Sequence, residues 1–350
     1  MQGWTLHPPT VPNVRRRHGK RLTESFLNKS RLSGHSIPSI PGTPYLILEG
    51  ILKDKQGVPG FPRKNNMSPR SWKLPYGIKT KEVNGYEMAY LERGQGTPLV
   101  LVHGSLSDYR AWAPQMEPFS AGFQTIAICL RHCYPECWDG EGDKFSVRQH
   151  ADDLSEFVKK LKAGPVHLVA HSRGGDVALI LAAKHPKLVR SMVLVDPAPL
   201  NEMLPATPVA NAEVENRKAF VTAAIERLKQ GDWDGGLETF TDAVSAPGNW
   251  KKLPESAKQI RRDNAWSIKS LLTDAQEKFN CTDTKKIDAP VLLVTGDKSP
   301  CLYGMMHAVL QSCLKNQQKV TISNASHGMH RENPEAFNTA VIDFLKKNIS

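Results

Sequence analysis

Hydrophobic positions along the chain change character near residue 80. Beyond it, short unbroken apolar runs alternate with stretches of helical period, the pattern of strands buried on both faces and of helices that cover them. Glu82–Arg93 alternates polar and apolar residues and predicts a hairpin turning at Asn84-Gly85. Pro98–His103, Phe123–Leu130, Pro165–His171, Val189–Val195, Pro290–Thr295 and Lys319–Ser323 read as strands. Val147–Leu161, with Leu154, Phe157, Val158 and Leu161 on one face, reads as a helix, as do Gly174–Lys184, Gly304–Leu314 and Pro334–Lys347. Strands alternating with helices predict an α/β fold with a mostly parallel, doubly wound sheet. Residues 200–285 break the alternation: they contain helical segments, Val214–Lys229 and Ala257–Thr273, and no clear strand. Such an insertion predicts a helical cap at about 200–285 within a domain spanning 76–350.

Residues 1–75 have little periodicity, clustered prolines and the run Arg15-Arg16-Arg17. They are expected to form a basic, disordered extension, because such a stretch buries too little apolar surface to offset its chain entropy. An organelle transit peptide and a reading frame that truly starts at Met67 are the alternatives. The extension also explains the net charge of +11. Twelve of the 46 basic residues and three of the 35 acidic ones fall in 1–70, which leaves 34 and 32 in the rest. A nearly neutral body argues against nucleic acid as a partner. No apolar run reaches the length of a membrane span.

Six cysteines, Cys129, Cys133, Cys137, Cys281, Cys301 and Cys313, show no C-x-x-C spacing. A metal cluster of the first three with His132 is the less favoured reading, and reduced thiols in a cytoplasmic protein the expected one. No metal and no cofactor is expected.

The chemistry concentrates at strand ends. Val169-Ala170-His171-Ser172-Arg173-Gly174-Gly175 joins a buried strand to a helix. A serine on so tight a turn, flanked by small residues, presents its hydroxyl outward, and the helix N-terminus faces the negative charge that develops on attack. The bland alternative is a serine that only caps the helix. Val102-His103-Gly104-Ser105 follows another buried strand, so the N–H groups of Ser105 and Arg173 are candidates for an oxyanion hole. His103 is expected to brace that loop. Leu293-Val294-Thr295-Gly296-Asp297 ends the strand after the insertion, and Asp297 is the favoured acid. Asp196, after Val193-Leu194-Val195, is the rival and is expected to serve as a structural turn with Pro197. His327, in Ala325-Ser326-His327-Gly328, is the candidate base, with His330 its competitor. The chain order Ser, Asp, His resembles that of α/β hydrolases.

These segments, together with Glu332-Asn333-Pro334, resemble the α/β-hydrolase superfamily over residues 80–350, in the bacterial-type branch with a helical cap. The resemblance implies Ser172, Asp297 and His327 as a catalytic triad, Ser105 and Arg173 as oxyanion donors, and no cofactor. Members with an aspartate nucleophile, the epoxide hydrolases and haloalkane dehalogenases, are disfavoured by Ser172. The chain departs from the pattern at Ala170, where glycine is usual, and at Leu130-Arg131-His132-Cys133-Tyr134-Pro135, where relatives often carry an Asp-x-x-Gly turn. Cleavage of a small-molecule carboxylic ester or lactone is the expected activity. A C–C bond or amide hydrolase with the same triad, and a non-catalytic binding protein, are the alternatives.

Overall fold

A computed structural model describes residues 74–142 and 145–349. The basic extension expected over 1–75 lies almost wholly outside the described residues. Eight strands form one sheet in the order β1-β2-β4-β3-β5-β6-β7-β8. They are β1 (Lys79–Val83), β2 (Tyr86–Arg93), β3 (Pro98–Val102), β4 (Gln124–Ile128), β5 (Val166–His171), β6 (Val189–Val195), β7 (Val291–Gly296) and β8 (Gln317–Ile322). The β1–β2 hairpin turns at Asn84 and Gly85, both at positive φ, as the type I′ turn requires. Pairing is antiparallel only from β1 through β2 to β4, and parallel in the remaining ladders. The chain thus has the α/β-hydrolase fold.

Helices of eight or more residues are α1 (Ala113–Ser120), α2 (Val147–Leu161), α3 (Arg173–Lys184), α4 (Pro208–Lys229), α5 (Trp233–Val244), α6 (Glu255–Asp263), α7 (Cys301–Cys313) and α8 (Pro334–Lys346). Successive strand residues serve opposite faces. Val100, Val102, Ile126 and Ile128 pack with Leu154 of α2, Val177 of α3 and Met306 of α7. Leu99, Leu101 and Ala127 pack with Phe119 of α1 and Phe337 and Val341 of α8. Burial on both sides is why β3, β5 and β7 have no exposed position. The edge strand β8 is polar (Gln317, Gln318, Lys319), which blocks pairing with another chain.

Helix α1 went unread in the sequence because it contains two prolines. Pro114 occupies the first turn, where its missing N–H is no loss, but Pro118 sits inside. Between β6 and β7 the insertion has its own core, Val221, Ala224, Leu228, Leu237, Phe240, Trp250, Ile268 and Leu271, joined by Leu106 from the loop after β3. The single helix expected over Ala257–Thr273 is broken at Asn264. The Asn264 side chain is diverted to Asp108 Oδ2 (2.7 Å) and to the Tyr134 N–H (2.8 Å), and the chain continues as a 3₁₀ turn over Ala265–Ser270.

The cysteines correct the expectation of six free thiols. Cys281 and Cys313 form a disulfide with Cα atoms 5.1 Å apart. It ties the end of the insertion to the C-terminus of α7. Closing a loop of this length contributes about 3–4 kcal/mol. Cys129 and Cys133 lie in the cores on opposite faces of the sheet, and Cys137 is exposed. His132 Nδ1 instead meets Glu136 Oε1 at 2.9 Å.

Candidate active site

Ser172 stands between β5 and α3 at φ 52°, ψ −124°. That backbone is costly for a residue with a Cβ, and it persists because the surroundings fix it. The Ser172 N–H donates to Val195 O, and Ser172 O accepts from the Gly175 and Ala198 N–H groups. Two glycines make the close approach feasible. A methyl group at Gly104 would lie 2.9 Å from Ser172 Cβ, and one at Gly174 would lie 2.5 Å from His103 O. The β3 loop can therefore lie directly against the serine turn. His103 locks that loop: its Nδ1–H donates to Gly104 O at 2.8 Å while Nε2 accepts from the Leu130 N–H at 3.0 Å. Burial pushes the His103 pKa down to about 4, so the ring is neutral, as this pairing requires. Ser105 lines the same cavities as Ser172. Arg173 opens α3, where the first N–H groups have no intrahelical acceptor.

The Arg173 side chain is buried and braces the turn from behind. Its Nε donates to Asp274 Oδ2 (2.6 Å) at the end of the insertion, and its Nη1 lies 2.6 Å from His150 Nδ1 of α2. Asp274 Oδ2 also accepts from Ser270 Oγ, and Oδ1 from the Val147 N–H. The Ser172 turn, α2 and the insertion thus share one carboxylate.

His327 and Ser172 line one cavity of about 320 Å³, together with His171, His330 and residues of the insertion. Tyr303 of α7 stacks on the His327 ring at 4.1 Å, and His171 meets it at 4.5 Å. His327 Nδ1–H donates to Asp196 Oδ2 at 3.4 Å. The acid assignment is therefore corrected. The favoured Asp297 is exposed and accepts from the Asn324 (2.9 Å) and Ala325 (3.0 Å) N–H groups; no contact joins it to His327 among the described residues. Asp196, expected only to form a turn, is fully buried at φ 39°. It also accepts from Ser299 Oγ (2.6 Å), and His307 Nε2 lies 3.2 Å from its Oδ1. Burial works to raise the Asp196 pKa, but hydrogen bonds from His307, His327 and Ser299 outweigh it and hold the carboxyl below the usual range. His330 is buried against Trp112 and His171, and its carbonyl accepts from Gln115.

Sequence reasoning missed Ser299, Tyr303 and His307. Ser299 follows a strand end and carried no motif; Tyr303 and His307 sit on an apolar helix like ordinary packing residues. Arg131 and His132, from the loop that departs from the family pattern, do not line the cavity: Arg131 pairs with buried Asp153 at 2.8 Å.

A doubly wound sheet with a strained serine at its centre and a carboxylate-bound imidazole on the last loop defines the class. The model of the α/β hydrolase fold family matches residues 97–334, and the chain belongs to that family. Among curated relatives it is 27% identical to the (E)-2-((N-methylformamido)methylene)succinate hydrolase of Acinetobacter baylyi, over 77% of this chain and 98% of that one. It is 26% identical to a soluble epoxide hydrolase of a Corynebacterium, over 72% and 91%. A thermophilic esterase from Thermogutta terrifontis shares the fold at TM-score 0.60 and 24% identity, over 78% and 98%. No helix among the described residues is long and apolar enough to cross a membrane.

Proposed function

We propose that the protein is a serine hydrolase that cleaves a small-molecule carboxylic ester or lactone through an acyl-enzyme. Ser172 is the nucleophile, His327 the general base, and Asp196, in place of Asp297, the acid that orients the base. The observation that carries this reading is the His327–Asp196 hydrogen bond inside the cavity that Ser172 also lines. With Nδ1–H committed to Asp196, Nε2 remains to accept the Ser172 proton. Ser172 Oγ then adds to the carbonyl, and the Ser105 and Arg173 N–H groups stabilise the oxyanion, each contributing about 3 kcal/mol. His327 passes the proton to the leaving alkoxide, and water deprotonated by His327 releases the acid. The insertion acts as a cap, since Phe240, Val244 and Leu253 line the cavity from it.

Amide cleavage by the same residues is the second reading. The Acinetobacter relative, whose name describes an N-methylformamido compound, favours it. The Cys281–Cys313 disulfide fits an oxidising compartment and not the reducing, cytoplasmic setting expected from the cysteines. Thiol titration of the denatured protein before and after reduction separates the two, with four thiols expected before and six after.

The decisive test is a fluorophosphonate probe with purified wild type and Ser172→Ala, followed by rates on p-nitrophenyl esters and anilides. Labelling confined to wild type, with turnover lowered about 10⁴–10⁶-fold in the variant, is expected. Undiminished turnover by Ser172→Ala refutes the assignment, and an unlabelled wild type favours a binding protein.

A further inference from the structure

The cavity that contains Ser172 and His327 is also lined by Lys252, Arg261 and Arg331, against a single acidic side chain, Glu332. Arg261, near the C-terminal end of α6, is only 8% exposed. Among the described residues its one protein acceptor within hydrogen-bond distance is Ala257 O, at 2.9 Å from Nη1. Arg331, four residues beyond His327, donates its backbone N–H to Gly328 O, but its guanidinium forms no hydrogen bond or ion pair with a described residue. Its guanidinium lies over the base loop: a methyl group at Gly328 would come within 3.5 Å of Arg331 Nη2. Glu332 does not neutralise either arginine at ion-pair distance, and its Oε2 is taken by the Ser326 N–H at 2.6 Å. Lys252 is exposed.

Two sparsely partnered guanidiniums in one cavity are an unfavourable arrangement. Each has lost water, and Arg261 also feels the charge of Arg331. Burial first, and then the charge of Arg331, push the Arg261 pKa down to about 9, and burial lowers that of Arg331. With a pKa of about 9, Arg261 remains cationic at neutral pH. Structural arginines as buried as Arg261 normally meet a carboxylate, as Arg173 meets Asp274 here. Where the cations instead line the cavity that Ser172 also lines, the counter-charge is one the substrate brings.

We propose that the substrate carries a free carboxylate besides its scissile carbonyl, and that Arg261 and Arg331 hold that carboxylate while Ser172 faces the carbonyl. The proposal rests on the hydrolase reading and names the substrate class for the same site. A cavity of about 320 Å³ suits a compact acid such as a short dicarboxylic half-ester. Arg261 approaches from the insertion and Arg331 from the base loop, so one carboxylate would bridge the two. Neither arginine touches the reacting atoms, so both are specificity residues.

The test uses a pair of esters matched in length, mono-p-nitrophenyl succinate and p-nitrophenyl butyrate, with the full chain. Wild type is expected to favour the succinate half-ester in kcat/KM, with free succinate as a competitive inhibitor stronger than inorganic phosphate. In Arg261→Gln and Arg331→Gln the succinate-to-butyrate ratio of kcat/KM is expected to fall about 10–100-fold, mainly through KM. Arg331→Lys, which keeps the charge but not the fork, is expected to fall between. A ratio that does not move in either glutamine variant overturns the proposal, as does a wild type that prefers butyrate and does not bind succinate. Phosphate inhibiting better than succinate overturns the choice of carboxylate. The underlying reading fails separately: an unlabelled Ser172 in a protein that still binds succinate, and loses it in Arg331→Gln, leaves the anion site without hydrolysis.

Discussion

Strands β6 and β7 are hydrogen-bonded neighbours, and each is followed at once by an aspartate, Asp196 after Val195 and Asp297 after Gly296. Their surroundings differ in every respect. Asp196 is sealed from solvent and touched by two imidazoles and a hydroxyl. Asp297 is exposed and holds two backbone N–H groups of the loop after β8. The register explains the split. Val195 lies opposite Val294, so Asp196 sits level with Thr295, whereas Asp297 lies two residues further out. The Asp297 N–H still pairs with Ile322 O, which prolongs the ladder and turns its carboxylate toward Asn324 and Ala325. One aspartate holds the His327 ring, and the other shapes the loop that carries it. A strand-end carboxylate is an acid candidate only if its depth along the sheet matches that of the base.

The comparison is most exposed to a substitution at position 196. Asp196→Asn keeps the shape but removes the charge that fixes the His327 tautomer, and kcat on a p-nitrophenyl ester is expected to fall about 10³–10⁴-fold. Loss of activity in Asp297→Asn with none in Asp196→Asn would reverse the assignment. The same variant alters acid stability. The Asp196 pKa is lower in the folded chain than the ordinary value near 4. Its contribution is therefore complete above about pH 4 and is lost as pH falls through the folded-state pKa. Thermal melts of wild type below pH 4 should lose stability that Asp196→Asn lacks at any pH. An unchanged difference between the two proteins across that range would count against a depressed pKa.

Ser299→Ala sharpens the contrast with a smaller effect. It removes one of the hydrogen bonds on Asp196 and leaves the contacts to both imidazoles. A hydrogen bond to a charged group contributes about 1.5–3 kcal/mol, of which only the part that alters His327 orientation reaches the rate. A loss of kcat of about tenfold, with KM nearly constant, is expected in steady-state assays. A loss as large as that of Asp196→Asn would make Ser299 a direct participant.

How much of this the sequence revealed follows from which interactions are local. The strand runs and the helix at Val147–Leu161 were legible because burial on both faces, or on one helical stripe, is written in residue order. Ser172 and His327 could be singled out as candidates because each sits in a short turn with its own small-residue signature, and the structure brings both to one cavity. The choice between Asp196 and Asp297 was not, since it depends on β6–β7 register and on a partner 131 residues away. Two -Val/Gly-Asp strand ends look equivalent until the ladder is aligned. The break at Asn264 was hidden for the same reason, because its competing partners, Asp108 and Tyr134, belong to other loops. The Cys281–Cys313 pairing spans 32 residues, and spacing alone could not reveal it.

The smallest expected effect is at the second aspartate. Asp297→Asn retains an acceptor oxygen for one of the two N–H groups it now holds, and it touches neither imidazole. The Asp297 pKa is also lowered, chiefly by the Asn324 and Ala325 N–H groups, but the carboxylate faces solvent, so screening leaves little of that shift as stability. We expect kcat within about threefold of wild type, a melting temperature slightly lower, and an acid limb nearly superimposable on that of wild type. The residual effect should act through the 323–327 loop. Because the two aspartates share no hydrogen-bonding partner, the logarithmic rate effects of Asp196→Asn and Asp297→Asn should add in the double variant. Strong non-additivity would mean that the two carboxylates act on His327 together, and the division of labour between the strand ends would fail.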